Sequence, residues 1–327
     1  MKSHEKWIDA SKGLLIFLVV AGHAFGAASH IGSTVAIMSV HENIYKVIYF
    51  FHMPAFFLLA GITWSDGGKG FWKYVKKKAK RLLLPYLAFM ALSMLVEYMW
   101  AGNIEWHRLI ILDGCRVNSP LWFLPCMFFV SVAYYLLDRC NYGWHRMVAL
   151  VLLLLIIGFM IRLLGLTFTP KWMPRVASFL LFMLIGHKFL PIKVWENIPK
   201  FPGWTCILLT TGFAVIGYFI PWEALCPTYC WFAYQLVALV GTLIVLIFCR
   251  AFPFNALCML GVASLYILCL HKFPLVLAQM KVESLYGLLG RWSLCLTLLL
   301  SVLCTFICVF IIRGYESLIR SLIKETR

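Results

Sequence analysis

The segment from Lys6 to His23 carries a lysine and a histidine at a spacing that suits chemistry inside a membrane. Lys12 and His23 are eleven residues apart, so on an α-helix they share one face and lie about 16 Å apart along its axis. Asp9 falls on nearly the same face. Near neutral pH an imidazole can accept a proton from a hydroxyl group or carry an acyl group. The structural alternative is that His23 hydrogen-bonds a neighbouring helix and Lys12 extends to lipid phosphate.

A basic segment forms the second group of candidate residues. The stretch FWKYVKKKAKRLLLPY, residues 71–86, has six basic residues between Lys73 and Arg81. Lys77, Lys78 and Arg81 are candidates for binding the phosphates of a polyanionic cytosolic ligand such as a nucleotide or coenzyme A. The same charge also serves to orient the flanking helices, so both interpretations stay open. The sequence has no phosphate-binding glycine motif, no H-E-x-x-H and no C-x-x-C, and no metal site is predicted.

The elements that must position these residues are predicted to be transmembrane helices. The 327 residues are 63% hydrophobic and 13% charged, whereas soluble domains are about 45–50% apolar and about 25% charged. This composition excludes a soluble globular enzyme and a disordered chain. We predict an all-α, polytopic membrane protein with about ten transmembrane helices in a single domain over residues 1–327. The apolar runs lie near residues 10–28, 44–64, 82–100, 120–137, 147–166, 175–190, 204–220, 231–249, 256–279 and 292–312.

The distribution of positive charge predicts the orientation of these helices. With a cytoplasmic amino terminus, 20 of the 29 Lys and Arg residues fall in inner segments and seven fall in outer ones. The positive-inside rule and the even number of spans therefore predict that both termini are cytoplasmic. A nucleic-acid-binding protein would concentrate its basic residues on a solvated domain. We expect the lipid bilayer as a partner and no nucleic acid.

Two more histidines and a tryptophan are candidates for an acceptor site. In the predicted topology His23, His52 and His271 lie in three different helices at similar depth, nearer the outer face. Titratable side chains in a membrane span cost about 2.5 kcal/mol or more on insertion scales, so each needs a partner, a water-filled cavity or a function. His52 and His271 can orient an acceptor or stabilise an oxyanion, and Trp122 offers an aromatic surface to a sugar ring. Helix packing explains all three as well.

Four further residues keep open interpretations. Arg162 is either a buried partner for Glu97 or a contact to substrate, and the sequence does not decide between them. Cys226 and Cys230, in a predicted outer loop, are candidates for a disulfide or a metal site, but a lone C-x3-C is a weak signal. Most of the twelve cysteines lie in apolar runs, where they act as small apolar side chains.

Five segments, taken in order along the chain, resemble the acyltransferase-3 family of membrane O-acyltransferases. Within that family the chain is most similar to the short sugar O-acetylases of the fucose 4-O-acetylase-like group. The segments are KWIDASKGLLIFLVVAGH with Lys12 and His23, FHMPAFFLLAG with His52 and Pro54, RLLLPY from Arg81 to Tyr86, PLWFL with Trp122, and SLYILCLHKFPL with Tyr266 and His271.

The resemblance implies roles for some of these residues. It implies that His23 is the catalytic histidine and that Lys12 stands where the family has an arginine or lysine. Lys78 and Arg81 would occupy a basic motif near the site where acyl-CoA enters. The first member of that motif is a lysine here, so it lacks the bidentate phosphate contact of an arginine.

We therefore expect a membrane O-acetyltransferase in the bacterial inner (plasma) membrane. It would move an acetyl group from cytosolic acetyl-CoA, its acyl donor, to a hydroxyl of a cell-surface or lipid-linked glycan, with no permanently bound cofactor. His23 would act either as catalytic base or as acyl carrier. The alternatives are a ten-helix transporter or flippase for a glycan or small polar solute, and a catalytically silent membrane interaction partner.

Overall fold

The computed structural model has only helical regular structure in the residues it describes, which confirms the all-α prediction. These residues are 6–31, 34–65, 68, 70–140, 143–164, 172–220 and 232–325, without the side chains at 162, 163, 282, 283, 287, 291 and 316–325. Short 3-10 turns and one π-helical turn, Ile185–Phe189, connect the α-helices. The α-helices are α1 (Lys6–Ala28), α2 (Val35–Ile62), α3 (Phe71–Ala101), α4 (His107–Ile110), α5 (Phe123–Arg139), α6 (Trp144–Leu163), α7 (Val176–Leu184), α8 (Ile192–Asn197), α9 (Gly203–Phe219), α10 (Phe232–Ala251), α11 (Asn255–Leu270), α12 (Lys272–Leu289) and α13 (Ser293–Glu325).

Many of these helices are long and apolar enough to cross a membrane. Seven qualify in the described part of the chain, and α11 with the first part of α12 adds an eighth candidate that bends by 63°. Two of the predicted runs fall short of this length, because 175–190 is divided between α7 and the π-helical turn, and α9 has 17 residues. The polytopic membrane class is confirmed. The number of ten spans and the cytoplasmic termini remain predictions.

Close contact between two helix backbones holds the first of two compact units together. This unit comprises Met1–Tyr49, Pro202–Phe219 and Ile244–Arg327, and α1 packs along α11 in it. A Cβ atom added at Gly13 would lie 1.8 Å from the carbonyl oxygen of Leu257, and one added at Gly261 would lie 1.9 Å from that of Asp9. Only glycine fits at these two positions, as is common where membrane helices approach closely.

The second unit comprises Phe50–Phe201 and Ile220–Leu243. In it α5 packs on α3 and α7, and the rings of Phe57 and Phe179 stack with centroids 4.1 Å apart. The hydroxyl of the fully buried Tyr86 donates a 3.0 Å hydrogen bond to the carbonyl oxygen of Asp113, which ties the loop after α3 to that helix. The single domain over residues 1–327 stays a prediction.

The loop after α3 also holds a network of ion pairs. Glu105 pairs with Arg108 and, at 2.5 Å, with Arg116. The Nε atom of Arg116 lies 3.9 Å from the carboxylate of Glu97, whose side chain is buried. Glu97 therefore faces a cation from the loop. The side chain of Arg162, its suggested partner, lies outside the described residues, as do Cys226 and Cys230.

The glycine contact between α1 and α11 predicts a stability difference between two alanine variants. Gly261→Ala should lower the free energy of unfolding by about 1–3 kcal/mol, because the added methyl group forces the helices apart. Gly212→Ala on α9, where a Cβ atom would meet nothing within 4 Å, is the control and should be neutral or slightly stabilising. Unfolding midpoints in mixed micelles measure both. Equal midpoints would show that the backbones are not in tight contact.

The Glu105 ion pairs predict that the order of the loop depends on pH. The hydrogen bond from Arg108, followed by the charges of Arg108 and Arg116, holds the pKa of the Glu105 carboxyl below its ordinary value. A lowered pKa contributes stability above the unfolded value, and that contribution is lost as the pH falls through the folded value. Glu105→Gln should therefore raise amide exchange over residues 105–116 at pH 7, and wild type should approach the variant in acid.

Exchange rates corrected for their intrinsic pH dependence measure this effect, and Glu196→Gln on the exposed face of α8 is the control. A difference between wild type and Glu105→Gln that persists unchanged at low pH would rule out the ion pairs as its cause.

Candidate functional site

The imidazole of His23 lies beside a tyrosine hydroxyl in the first unit. His23 is partly buried on α1, and the Tyr49 hydroxyl on α2 lies 3.0 Å from its Nδ1 and 3.2 Å from its Nε2. A Cβ atom at position 22 would approach the Tyr49 ring to 2.9 Å, so Gly22 is what allows this ring to come close. The site thus accepts a hydroxyl group at hydrogen-bonding distance from His23.

A second imidazole, that of His271, lies next to His23. The two ring centroids are 5.2 Å apart, and His271 occupies the break between α11 and α12. Its Nδ1 lies 2.9 Å from the carbonyl oxygen of Leu268 and 3.1 Å from that of Ile267. Carbonyl oxygens only accept hydrogen bonds, so Nδ1 carries the hydrogen. The structure therefore brings together two of the three histidines that the sequence predicted at similar depth.

The fixed tautomer of His271 limits its chemistry. In the neutral ring Nε2 has a lone pair and no hydrogen. Among the described residues this Nε2 has no hydrogen-bond partner, and the side chain is fully buried. Neutral His271 can accept a hydrogen bond at Nε2 but cannot donate one to an oxyanion there.

Lys12 forms an ion pair on its own helix. Its Nζ lies 3.2 Å from Oδ1 of Asp9, and both side chains are partly buried. The pair lies near the amino-terminal end of α1, on the same helix face as His23, which is closer to the carboxy-terminal end. Balanced by Asp9, the Lys12 cation is tolerated next to apolar neighbours.

The candidate acyl-CoA-binding residues belong to the second unit, on the first turns of α3. Lys77 and Arg81 are exposed, while Lys78 is partly buried with its Nζ 5.6 Å from the centroid of the Tyr74 ring. Residues four apart on a helix share a face, so Lys77 and Arg81 form one accessible cationic pair. Their role in donor binding stays a prediction.

His52 and Trp122 also lie in the second unit. His52 is buried, with 1% of its surface exposed. The Trp122 ring packs near Phe179, with centroids 6.3 Å apart, and the guanidinium of Arg175 lies 4.8 Å from its centroid. Trp122 remains partly exposed. The burial of His52 and the ring contacts of Trp122 are consistent with packing, and the part of both residues in acceptor binding stays a prediction.

A polar cluster centred on Asp138 was missed in the sequence. Asp138 at the end of α5 accepts hydrogen bonds from Lys188 at 2.7 Å and from the Trp64 indole at 3.2 Å. His187 lies 2.7 Å from the Tyr134 hydroxyl and 3.8 Å from Asp138. The sequence did show an acidic residue, Asp138, at the end of an apolar run. It did not show which residues of other helices would pair with that carboxylate. Tyr49 was missed for the same reason, since nothing in the sequence shows which tyrosine on α2 faces His23.

A comparison with known families decides what kind of protein holds these residues. The acyltransferase-3 model, described as an acyltransferase domain, matches residues 5–313. The chain belongs to the acyltransferase-3 family. This confirms the resemblance drawn from the five sequence segments, and it makes the chain a multi-pass membrane protein of the acyltransferase-3 family.

A curated relative of this chain is Nodulation protein NolL from Mesorhizobium japonicum. It is 36% identical over 137 residues, which are 41% of this chain and 36% of that protein. The match therefore spans little more than a third of the nodulation protein. No solved structure matches the chain with significance.

Proposed function

We propose that this acyltransferase moves an acetyl group from cytosolic acetyl-CoA to a hydroxyl of a cell-surface or lipid-linked glycan at the bacterial inner membrane. The observation that carries the proposal is the His23 imidazole, which has a hydroxyl group within 3.2 Å of both ring nitrogens in a chain of the acyltransferase-3 family. The glycan acceptor rests on the resemblance to sugar O-acetylases.

The proposed reaction needs one base and one route for a proton. The acceptor oxygen bonds to the acetyl carbon, the carbon–sulfur bond of the thioester breaks, and the hydroxyl proton ends on the CoA thiolate. As a base, His23 holds that proton between the two steps. As a carrier, it first takes the acetyl group on a ring nitrogen and then releases it to the alcohol. Both roles require a lone pair on His23 that a substrate hydroxyl or thioester can reach, and the partial exposure of the ring and its contact with the Tyr49 hydroxyl support this.

The donor is proposed to bind through its nucleotide phosphates to Lys77, Lys78 and Arg81. The exposed pair Lys77 and Arg81 offers charge to a soluble ligand, and the predicted topology puts the start of α3 on the cytoplasmic side, where acetyl-CoA is made. Cations on one helix face can bind several phosphate oxygens of one ligand.

Loss of the His23 imidazole should abolish acetyl transfer. We expect His23→Ala to lower transfer from labelled acetyl-CoA by about 10²–10⁴-fold, since it removes the base or carrier, while membrane insertion stays normal. His30→Ala, an exposed histidine just after α1, is the control and should keep wild-type turnover. Mass spectrometry of surface glycans from deletion and complemented cells shows the acceptor as a gain of one acetyl mass. Undiminished turnover of His23→Ala would reject its role, and solute uptake without any acetyl transfer would favour the transporter.

Removal of the cationic pair should affect only donors that carry phosphates. The double variant Lys77→Gln with Arg81→Gln should raise the KM for acetyl-CoA about tenfold or more, because hydrogen bonds to charged groups contribute about 1.5–3 kcal/mol. Acetyl-pantetheine lacks the nucleotide phosphates, so its KM should not change. Lys193→Gln on α8 removes an exposed cation elsewhere in the same unit and should leave both values unchanged. An equal effect on the two donors would assign the pair to helix orientation alone.

A further inference from the structure

His271 has the features of a proton acceptor held in place by the backbone. Its Nδ1–H is fixed by the carbonyl oxygens of Ile267 and Leu268, so the ring can neither flip nor change tautomer without losing both hydrogen bonds. The opposite nitrogen, Nε2, is fully buried, and no residue that the structure describes hydrogen-bonds to it. A buried acceptor without a partner destabilises the fold, because it loses the hydrogen bond that water would give it in the unfolded chain. Such a cost suggests that the lone pair has a use.

His23 is a neighbouring side chain that can use this lone pair. The 5.2 Å between the centroids of His23 and His271 leaves room for one N–H···N hydrogen bond of about 3 Å between the rings. A substrate does not reach His271 directly, because its side chain is 0% exposed. His271 must therefore act through a neighbouring side chain, and the ring next to it, that of His23, is only partly buried.

We propose that His271 is the positioning residue of His23, an inference that rests on the proposed function of His23. In this arrangement Nε2 of His271 accepts the N–H hydrogen of His23, which makes the other His23 nitrogen the one with a free electron pair. In the structure both His23 nitrogens lie within 3.2 Å of the Tyr49 hydroxyl, so an acceptor alcohol or a thioester that replaces Tyr49 would meet the nitrogen with the free electron pair. A chain of hydrogen bonds then connects the backbone carbonyls of α11 to His271 and His271 to His23, whose other nitrogen reacts.

The proton balance of this arrangement is simple. When His23 takes the proton of the acceptor hydroxyl, or the acetyl group, it becomes positively charged and its N–H bonds more strongly to Nε2 of His271. Once the acetyl group is on the acceptor oxygen and the CoA thiolate has taken up the hydroxyl proton, His23 is again neutral, with the same hydrogen on the same nitrogen. His271 gains and loses nothing over one turnover, so its part is to orient His23 and to stabilise its charge.

A comparison of two variants at position 271 tests the proposal. His271→Leu has no acceptor and should lower kcat by about 10²-fold or more with an unchanged KM. His271→Gln keeps an acceptor at the position of Nε2 and should restore at least a tenth of wild-type kcat. If the residue only packs, leucine should be tolerated as well as glutamine, so equal kcat values overturn the proposal.

Another buried histidine of the first unit, His41, provides the matched control. His41 is also 0% exposed, but its Nδ1 lies 2.9 Å from the carbonyl oxygen of Ile37 and its Nε2 lies 3.2 Å from the hydroxyl of Thr297. Both nitrogens are thus engaged away from His23. His41→Leu and His41→Gln should change the unfolding midpoint without the difference in kcat per folded molecule that separates the two variants at position 271.

Two measurements test whether His271 acts through His23. In a His23→Ala background, His271→Leu should have no further effect on residual turnover, and an additional loss of tenfold would overturn the proposal. The ¹⁵N NMR shifts of labelled histidine need no substrate. They should show one tautomer of His23 in wild type and a mixture of tautomers in His271→Leu. Identical spectra would reject the hydrogen bond between the rings, and this conclusion holds whether or not acetyl-CoA is the donor. Absence of acetyl transfer in wild type, with the NMR change present, would reject only the proposed function.

Discussion

The contact between the backbones of α1 and α11 is the constraint on which the first unit depends. Gly13 and Gly261 let the two helices touch without intervening side chains, and this fixes their depth relative to each other. His23 lies ten residues after Gly13 on α1, and His271 lies ten residues after Gly261 at the end of α11. Because both distances are equal and each helix rises by about 1.5 Å per residue, the contact brings the two imidazoles to the same level.

The sequence predicted the features that depend on one helix at a time. Apolar runs gave the helical class, and the eleven-residue interval between Lys12 and His23 gave their shared face. The ion pair of Lys12 with Asp9 follows from the same periodicity. The partners of His23 could not be predicted in this way. Whether Tyr49 and His271 lie next to His23 depends on the register between helices. Glycine contacts set that register, and the sequence of one helix does not show it.

For the charged residues too, the sequence predicted local features but not the contacts between distant segments. Sequence alone placed the basic segment at the start of α3, since composition is a local property. It did not show that Asp138 binds Lys188 and the Trp64 indole, or that Glu97 faces Arg116. Both pairings join segments distant in the chain, and each brings a carboxylate and a cation together. In a medium of low polarity such pairing is strongly favoured over isolated charges, but the sequence does not choose the partner.

At the break between α11 and α12, the side chain of His271 combines a role in folding with the positioning role proposed above. A helix that ends within an apolar segment leaves carbonyl groups that lipid cannot satisfy. The ring of His271 donates to the carbonyl of Leu268, and it shares the carbonyl of Ile267 with its own backbone N–H. Selection for a stable protein and selection for a competent enzyme then act on the same residue. Few amino acids meet both demands, so natural variation should be narrower at this bend than along the straight helices on either side.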